Sequence, residues 1–253
     1  MEKMSRRSFF KIAGVTAASS TVAAGAAAQG LVGNAPLPAP AVPQYDAYVF
    51  LNPEEARIVR AAVARLIPED DNGPGALEAD VPTFIDRQLA GAWGAGERLY
   101  RSGPWQEGDE TQGYQLPFTP AELFRKALRG VRADLVHRGM RPFDEMTEAD
   151  QDRYLKDLEA NRIVLDGIPG KVFFESLLSL TMEGYFSDPV YGGNKDMASW
   201  KMIGFPGAYA SFYDLVDQYG VLYTRPPISM GDDGKGKIHF HAAKPGPVSK
   251  GGK

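Results

Sequence analysis

Apolar residues recur at three- and four-residue intervals along much of this chain, the period of α-helices that each bury one face. Ala56, Val59, Val63, Leu66 and Ile67 form the first such stripe. Asn52-Pro53-Glu54-Glu55 opens it: asparagine can cap, proline suits the first helical position, and Glu55 completes a capping-box pattern. Pro68 ends it. Val81-Pro82 opens a second helix through Phe84, Ile85 and Leu89. Thr119-Pro120-Ala121-Glu122 repeats the cap, proline and acid arrangement ahead of Leu123, Phe124, Ala127, Leu128, Val131 and Leu135. Thr147-Glu148-Ala149-Asp150 starts a shorter, charged helix through Tyr154, Leu155 and Leu158. From Gly170 to Phe186 the apolar positions cover more than one face, which predicts a central, buried helix. Met197 to Ile203 and Tyr209 to Tyr219 are expected as further short helices.

Proline and glycine mark the breaks. Gln29 to Val49 carries Pro36, Pro38, Pro40 and Pro43, which forbid a helix and predict an extended arm. Glu69 to Gly75 is an acidic turn, and residues 91–117 show no clean period. From Arg225 the chain is rich in Pro, Gly and Lys, and a mobile tail is expected. No alternation is sustained enough for a sheet, so the expected class is all-α: an irregular helical domain with long loops. The expected organisation is a signal peptide at 1–28, an arm at 29–50, the helical domain at 51–224 and the tail at 225–253.

The signal is read from Arg6-Arg7, with Phe9 and Lys11 at the spacing of a twin-arginine address and an uncharged Ala/Gly/Ser/Thr run from Ile12 to Ala28. That run is too weakly apolar for an anchor. The twin-arginine route carries folded proteins, usually because a cofactor is inserted before export. The rest of the chain, however, has no dinucleotide fingerprint, no P-loop and no ligand-spaced cluster. Either a cofactor belongs to a partner folded first and carried across with this chain, or the chain simply folds fast.

Charge and composition narrow the chemistry further. The formal net charge is −4, and loss of residues 1–28 would make it −7, which argues against a nucleic-acid surface. With no cysteine the chain can form no disulfide, thiolate zinc site, Cys-ligated iron–sulfur cluster or covalent c-type haem. Glu69, Asp70 and Asp71 lack the spacing of a calcium loop and read as a solvated turn. His239 and His241 near Asp232 and Asp233 would make a poorly preorganised metal site, and His137 suits a helix C-terminus. Glu175 and Glu183 stand about 12 Å apart along one helix, too far for a glycosidase pair, and are expected as buried, paired carboxylates. A stand-alone periplasmic enzyme or solute-binding protein would have to use these acids. The densest feature is Gly184 to Asn194 with its continuation from Ser199 to Gly207, where aromatic rings interleave with Gly, Asp and Asn. Such rings either cap the domain's own core or anchor a protein interface, and composition does not choose.

These residues carry a resemblance. Phe173-Phe174-Glu175, the run Glu183-Gly184-Tyr185-Phe186-Ser187-Asp188-Pro189-Val190-Tyr191-Gly192-Gly193-Asn194 and Trp200 to Gly207 resemble the gluconate 2-dehydrogenase subunit 3 family. Leu66 to Ala76 and Phe84 to Leu89 match as well. The resemblance implies a non-catalytic small subunit without a redox centre of its own. Its implied partners are a GMC-type large subunit that holds FAD and oxidises the sugar, a multihaem cytochrome c subunit with haem c, and the twin-arginine translocase. It further implies a periplasmic, membrane-associated complex in which this chain assists folding and export of the flavoprotein. The residues expected to face that partner are Tyr185, Asp188, Tyr191, Asn194, Trp200 and Phe205.

Overall fold

The computed structural model describes residues 48–97, 99–100, 102–106, 108–109, 112–208, 217–220 and 225–232. The chain divides into two units, Met1–Gln44 and Tyr45–Lys253, and every described residue belongs to the second. The expected signal residues Arg6, Arg7, Phe9 and Lys11, most of the arm, His239, His241 and most of the helix expected at 209–219 lie outside the described residues.

Six α-helices occur among the described residues: α1 Pro53–Leu66, α2 Val81–Ala90, α3 Pro120–His137, α4 Glu148–Glu159, α5 Gly170–Phe186 and α6 Ala198–Ile203. The fold is all-α. Its sheet content is one hairpin of two-residue strands, β1 Val164–Leu165 and β2 Ile168–Pro169, with Leu165 opposite Ile168. The turn between them is Asp166-Gly167, both at positive φ (49° and 83°), the conformation that a two-residue hairpin loop requires.

The helix starts follow from their caps. The Asn52 side chain accepts from the Glu54 and Glu55 amides, while the Glu55 carboxylate accepts from the Asn52 amide. Thr119 and Glu122 make the same reciprocal pair at α3, and Thr147 Oγ1 accepts from the Asp150 amide at α4. Each cap satisfies amides that the first helical turn leaves without partners.

Helix α5 is the hub, packing against α1, α2, α3 and α4. Phe173, Phe174, Leu177, Leu180, Thr181, Gly184 and Tyr185 are buried, and Phe173 meets Phe124 of α3 edge-on at 5.4 Å. Only one narrow row of α5 faces solvent: Lys171, Glu175, Ser179 and Glu183, four residues apart. The expectation of buried acids therefore fails at Glu175 and Glu183. They occupy that solvent row, Glu175 3.8 Å from Lys171 Nζ and Glu183 accepting from Ser179 Oγ at 2.8 Å.

Two segments at the ends of the helical body are tied to it by long-range bonds. Residues 49 and 50, expected in the arm, and residue 51, the first of the expected helical domain, are gripped by the buried carboxylate of Asp86 on α2. It accepts from the amides of Val49, Phe50 and Leu51 at 2.8, 2.9 and 2.8 Å. The Arg125 guanidinium lies 3.9 Å over the Phe50 ring while it pairs with Glu55 and donates to the Phe50 carbonyl. At the other end, Ile228 to Met230, within the expected tail, bond to the helical body through Pro206, Ala208 and Asp188. Ser229 is buried, and Ile228 pairs with Gly207 in a single parallel bridge.

Candidate functional site: the loop after the central helix

Beyond Phe186 the chain can no longer be helical, because Pro189 forces a stop and Gly192 and Gly193 both sit at positive φ. Ser187 Oγ, 3.1 Å from the Gly184 carbonyl and 2.7 Å from that of Gly192, folds the loop back onto the helix end. Gly193 permits this closeness: a Cβ there would lie 2.2 Å from the Gly184 carbonyl oxygen.

Asn194 is the central tie. Its side chain is 0% exposed, with Nδ2 donating to the Ser187 carbonyl at 2.8 Å. Oδ1 accepts from Ser199 N at 3.0 Å and Ser199 Oγ at 2.7 Å. Its backbone is left-handed at φ 41°, a region that asparagine tolerates better than most residues. Asp188 is the second tie. Oδ1 accepts from Val190 N at 3.0 Å and from Ser229 Oγ at 2.5 Å, and Oδ2 accepts from Met230 N at 2.8 Å. One carboxylate thus caps a 3₁₀ turn and fastens a segment some forty residues downstream.

Four of the six residues expected at an interface have side chains turned inward. Asp188 and Asn194 form the ties just described. Tyr185 is buried and donates to the Pro74 carbonyl at 2.6 Å, and burial pushes its hydroxyl pKa up, with the charges of Asp70 and Glu78 adding to the shift. Trp200 is buried, its indole N–H donating to the Phe186 carbonyl at 2.9 Å. The other two present their rings: Tyr191 is 42% and Phe205 45% exposed, with Phe205 edge-on to Trp200 at 5.1 Å. Met202 and Ile203, not singled out from sequence, are exposed beside Phe205. The loop therefore joins the two readings that composition left open. Its ties cap the core and hold an apolar edge outward.

The acidic turn abuts this edge. A Cβ on Gly73 would stand 2.7 Å from the Met202 sulfur, and the same sulfur is 4.0 Å from Tyr185 Oη. Asp70 accepts from the Asn72 amide at 2.8 Å and from Asn72 Nδ2 at 3.2 Å, bonds that hold its carboxyl below the usual carboxylate range. Glu69, Asp70 and Asp71 are solvent-exposed. Among the described residues no group of three His, Asp or Glu side chains is placed to hold a metal ion. No helix among them is long and apolar enough to cross a membrane.

A search of curated proteins and of solved structures returned no match. The family model for gluconate 2-dehydrogenase subunit 3 matches residues 53–207, from the start of α1 to the Gly207 bridge. That span takes in all six helices, the acidic turn and the loop tied by Asn194. By this match over more than half its length, the chain belongs to the gluconate 2-dehydrogenase subunit 3 family.

Proposed function

We propose that the chain is the non-catalytic small subunit of a periplasmic, membrane-associated, FAD-dependent dehydrogenase complex of the gluconate 2-dehydrogenase type. It docks to the flavoprotein subunit, assists its folding, and leaves the cell interior with it through the twin-arginine route. FAD belongs to the large subunit and haem c to a cytochrome subunit. The absence of cysteine from the whole sequence agrees with a chain that holds no covalent haem or iron–sulfur cluster.

The observation that carries this reading is the edge after α5. Within the family-matched residues, a framework of buried polar ties holds Tyr191, Met202, Ile203 and Phe205 exposed. A fixed aromatic and aliphatic edge held outward suits a protein interface. Asp188, Asn194, Tyr185 and Trp200 act from beneath as positioning residues, and Tyr191 and Phe205 touch the partner.

The test is co-expression of the flavoprotein with the wild-type chain, with Ile203→Ser/Phe205→Ser, and with no small subunit. The double variant lowers recovery of periplasmic flavoprotein toward that of the empty control, while its own circular dichroism is unchanged. Equal recovery in all three strains removes the proposal.

A further inference from the structure

A second surface feature lies away from the loop. Trp93, Tyr114, Ser176, Ser179 and Glu183 line a cleft of about 140 Å³, open to solvent between the segment after α2, the start of α3 and the exposed row of α5. Its floor is apolar and buried: Pro120, Leu123, Phe124 and Leu180. Its rim carries the Trp93 ring, 43% exposed, and the Glu183 carboxylate.

The hydroxyl protons of this cleft are committed. Ser176 Oγ donates to the Val172 carbonyl at 2.8 Å, Ser179 Oγ to Glu183 Oε1 at 2.8 Å, and Tyr114 Oη to the Phe118 carbonyl at 3.0 Å. What the two serine hydroxyls still offer a visitor is lone pairs. The second oxygen of Glu183 adds another acceptor, and among the described residues no basic side chain pairs with that carboxylate. Among the described residues this inventory is weighted toward acceptors and carries one negative charge. A group that only donates, carries positive charge and is flat fits it well, because the charge meets the carboxylate and the plane meets an indole face.

We propose that this cleft receives a guanidinium group, the side chain of an arginine on the flavoprotein to which the subunit docks. The choice of a protein-borne arginine rests on the proposed function, and the chemistry of the cleft does not. Aromatic anchors beside an apolar floor are where arginine side chains fix interfaces, and the cleft gives the complex a second contact besides the Phe205 edge.

The experiment has two arms. In the first, the full chain is titrated with Nα-acetyl-arginine amide and with its neutral isostere Nα-acetyl-citrulline amide, followed by tryptophan fluorescence in a Trp105→Phe background and by calorimetry. The arginine derivative binds with a Kd on the order of 1–10 mM, the scale of one partly exposed ion pair with one cation–π contact. The citrulline derivative binds at least about fivefold more weakly, and Glu183→Gln removes that difference. No binding, or equal binding of the two compounds, overturns the guanidinium assignment whatever the partner. In the second arm, Glu183→Gln and Trp93→Leu chains are compared with wild type in retaining the flavoprotein on a tagged column. The proposal predicts roughly fivefold to thirtyfold faster loss from each variant. If the compounds discriminate but both variants retain flavoprotein like wild type, the partner as source is overturned. If wild type retains none, the subunit reading fails while the first arm still decides the cleft.

Discussion

Replacing Asn194 by alanine tests the idea that buried polar ties, rather than the aromatic rings, hold the loop after the central helix. The side chain is fully buried and makes three bonds, to Ser187 O, Ser199 N and Ser199 Oγ. Alanine removes them and strands a buried carbonyl and a buried amide, and leaving such groups unmet costs about 1–3 kcal/mol. Alanine must also occupy φ 41°, a left-handed position that costs a residue with a Cβ roughly 1–2 kcal/mol. Together these give about 2–5 kcal/mol, a large part of the roughly 5–15 kcal/mol that keeps a domain folded. Glycine loses the same bonds but accepts the backbone angle, so Asn194→Gly should be about 1 kcal/mol more stable than Asn194→Ala, the reverse of the order in a helix. Urea unfolding followed by far-ultraviolet circular dichroism measures the global term. Tryptophan emission measures release of Trp200, whose indole is bonded to the Phe186 carbonyl at the same loop. The reasoning is refuted if Asn194→Ala unfolds within 1 kcal/mol of wild type by both probes, or if glycine proves the worse replacement.

Asp86→Ala withdraws the acceptor for the Val49, Phe50 and Leu51 amides. Because Val49 is exposed and can rehydrate, about 2–4 kcal/mol of destabilisation is expected by urea titration, with faster proteolysis ahead of α1. Gly193→Ala meets the Gly184 carbonyl at a left-handed position and should lower the urea midpoint by the equivalent of about 2 kcal/mol or more. Asp80 has its carboxyl pushed up by burial, so its folded pKa lies above the unfolded one and its charge works against folding once the pH exceeds both. Asp80→Asn should therefore raise the urea midpoint slightly at pH 7, with the gain vanishing as pH falls below the unfolded carboxylate value of about 3.9. Asp70 has the opposite sign: bonds from Asn72 lower its folded pKa, so its contribution is present above the unfolded value and is lost as pH falls through the folded one. Asp70→Ala should leave an acid-unfolding curve that is less steep below pH 4, read by circular dichroism.

Helix starts were legible because a cap is a local event: Asn52 with Glu55, and Thr119 with Glu122, need only four adjacent residues. Helix α5 and its central place followed from an apolar pattern wider than one face. The exposed row Lys171, Glu175, Ser179 and Glu183 was present in the same pattern as a four-residue repeat, and it was the signal that Glu175 and Glu183 face water. The Asp166-Gly167 dipeptide was likewise a hairpin signal, short enough to be lost among helices. What could not be read were contacts closed across long stretches of chain. The Asp86 grip on residues 49–51 spans about thirty-six positions, and the Asp188 bonds to Ser229 and Met230 span about forty. No periodicity announces a carboxylate that accepts from a distant backbone. For the same reason the residues expected at an interface divided: composition showed that the loop was rich in rings, but which rings turn inward depends on Asn194 and Asp188 bending the chain beneath them.

The central claim is that this chain is a stoichiometric partner of a flavoprotein. The most direct measurement is a tagged pull-down of the full chain from native membranes, with absorption spectra and mass spectrometry of the eluate. The claim predicts a large subunit at equal molar amount with the bands of oxidised flavin, accompanied by haem absorption where the cytochrome subunit is retained. A lone, colourless chain, recovered under conditions in which the dehydrogenase activity stays in the flow-through, would contradict it.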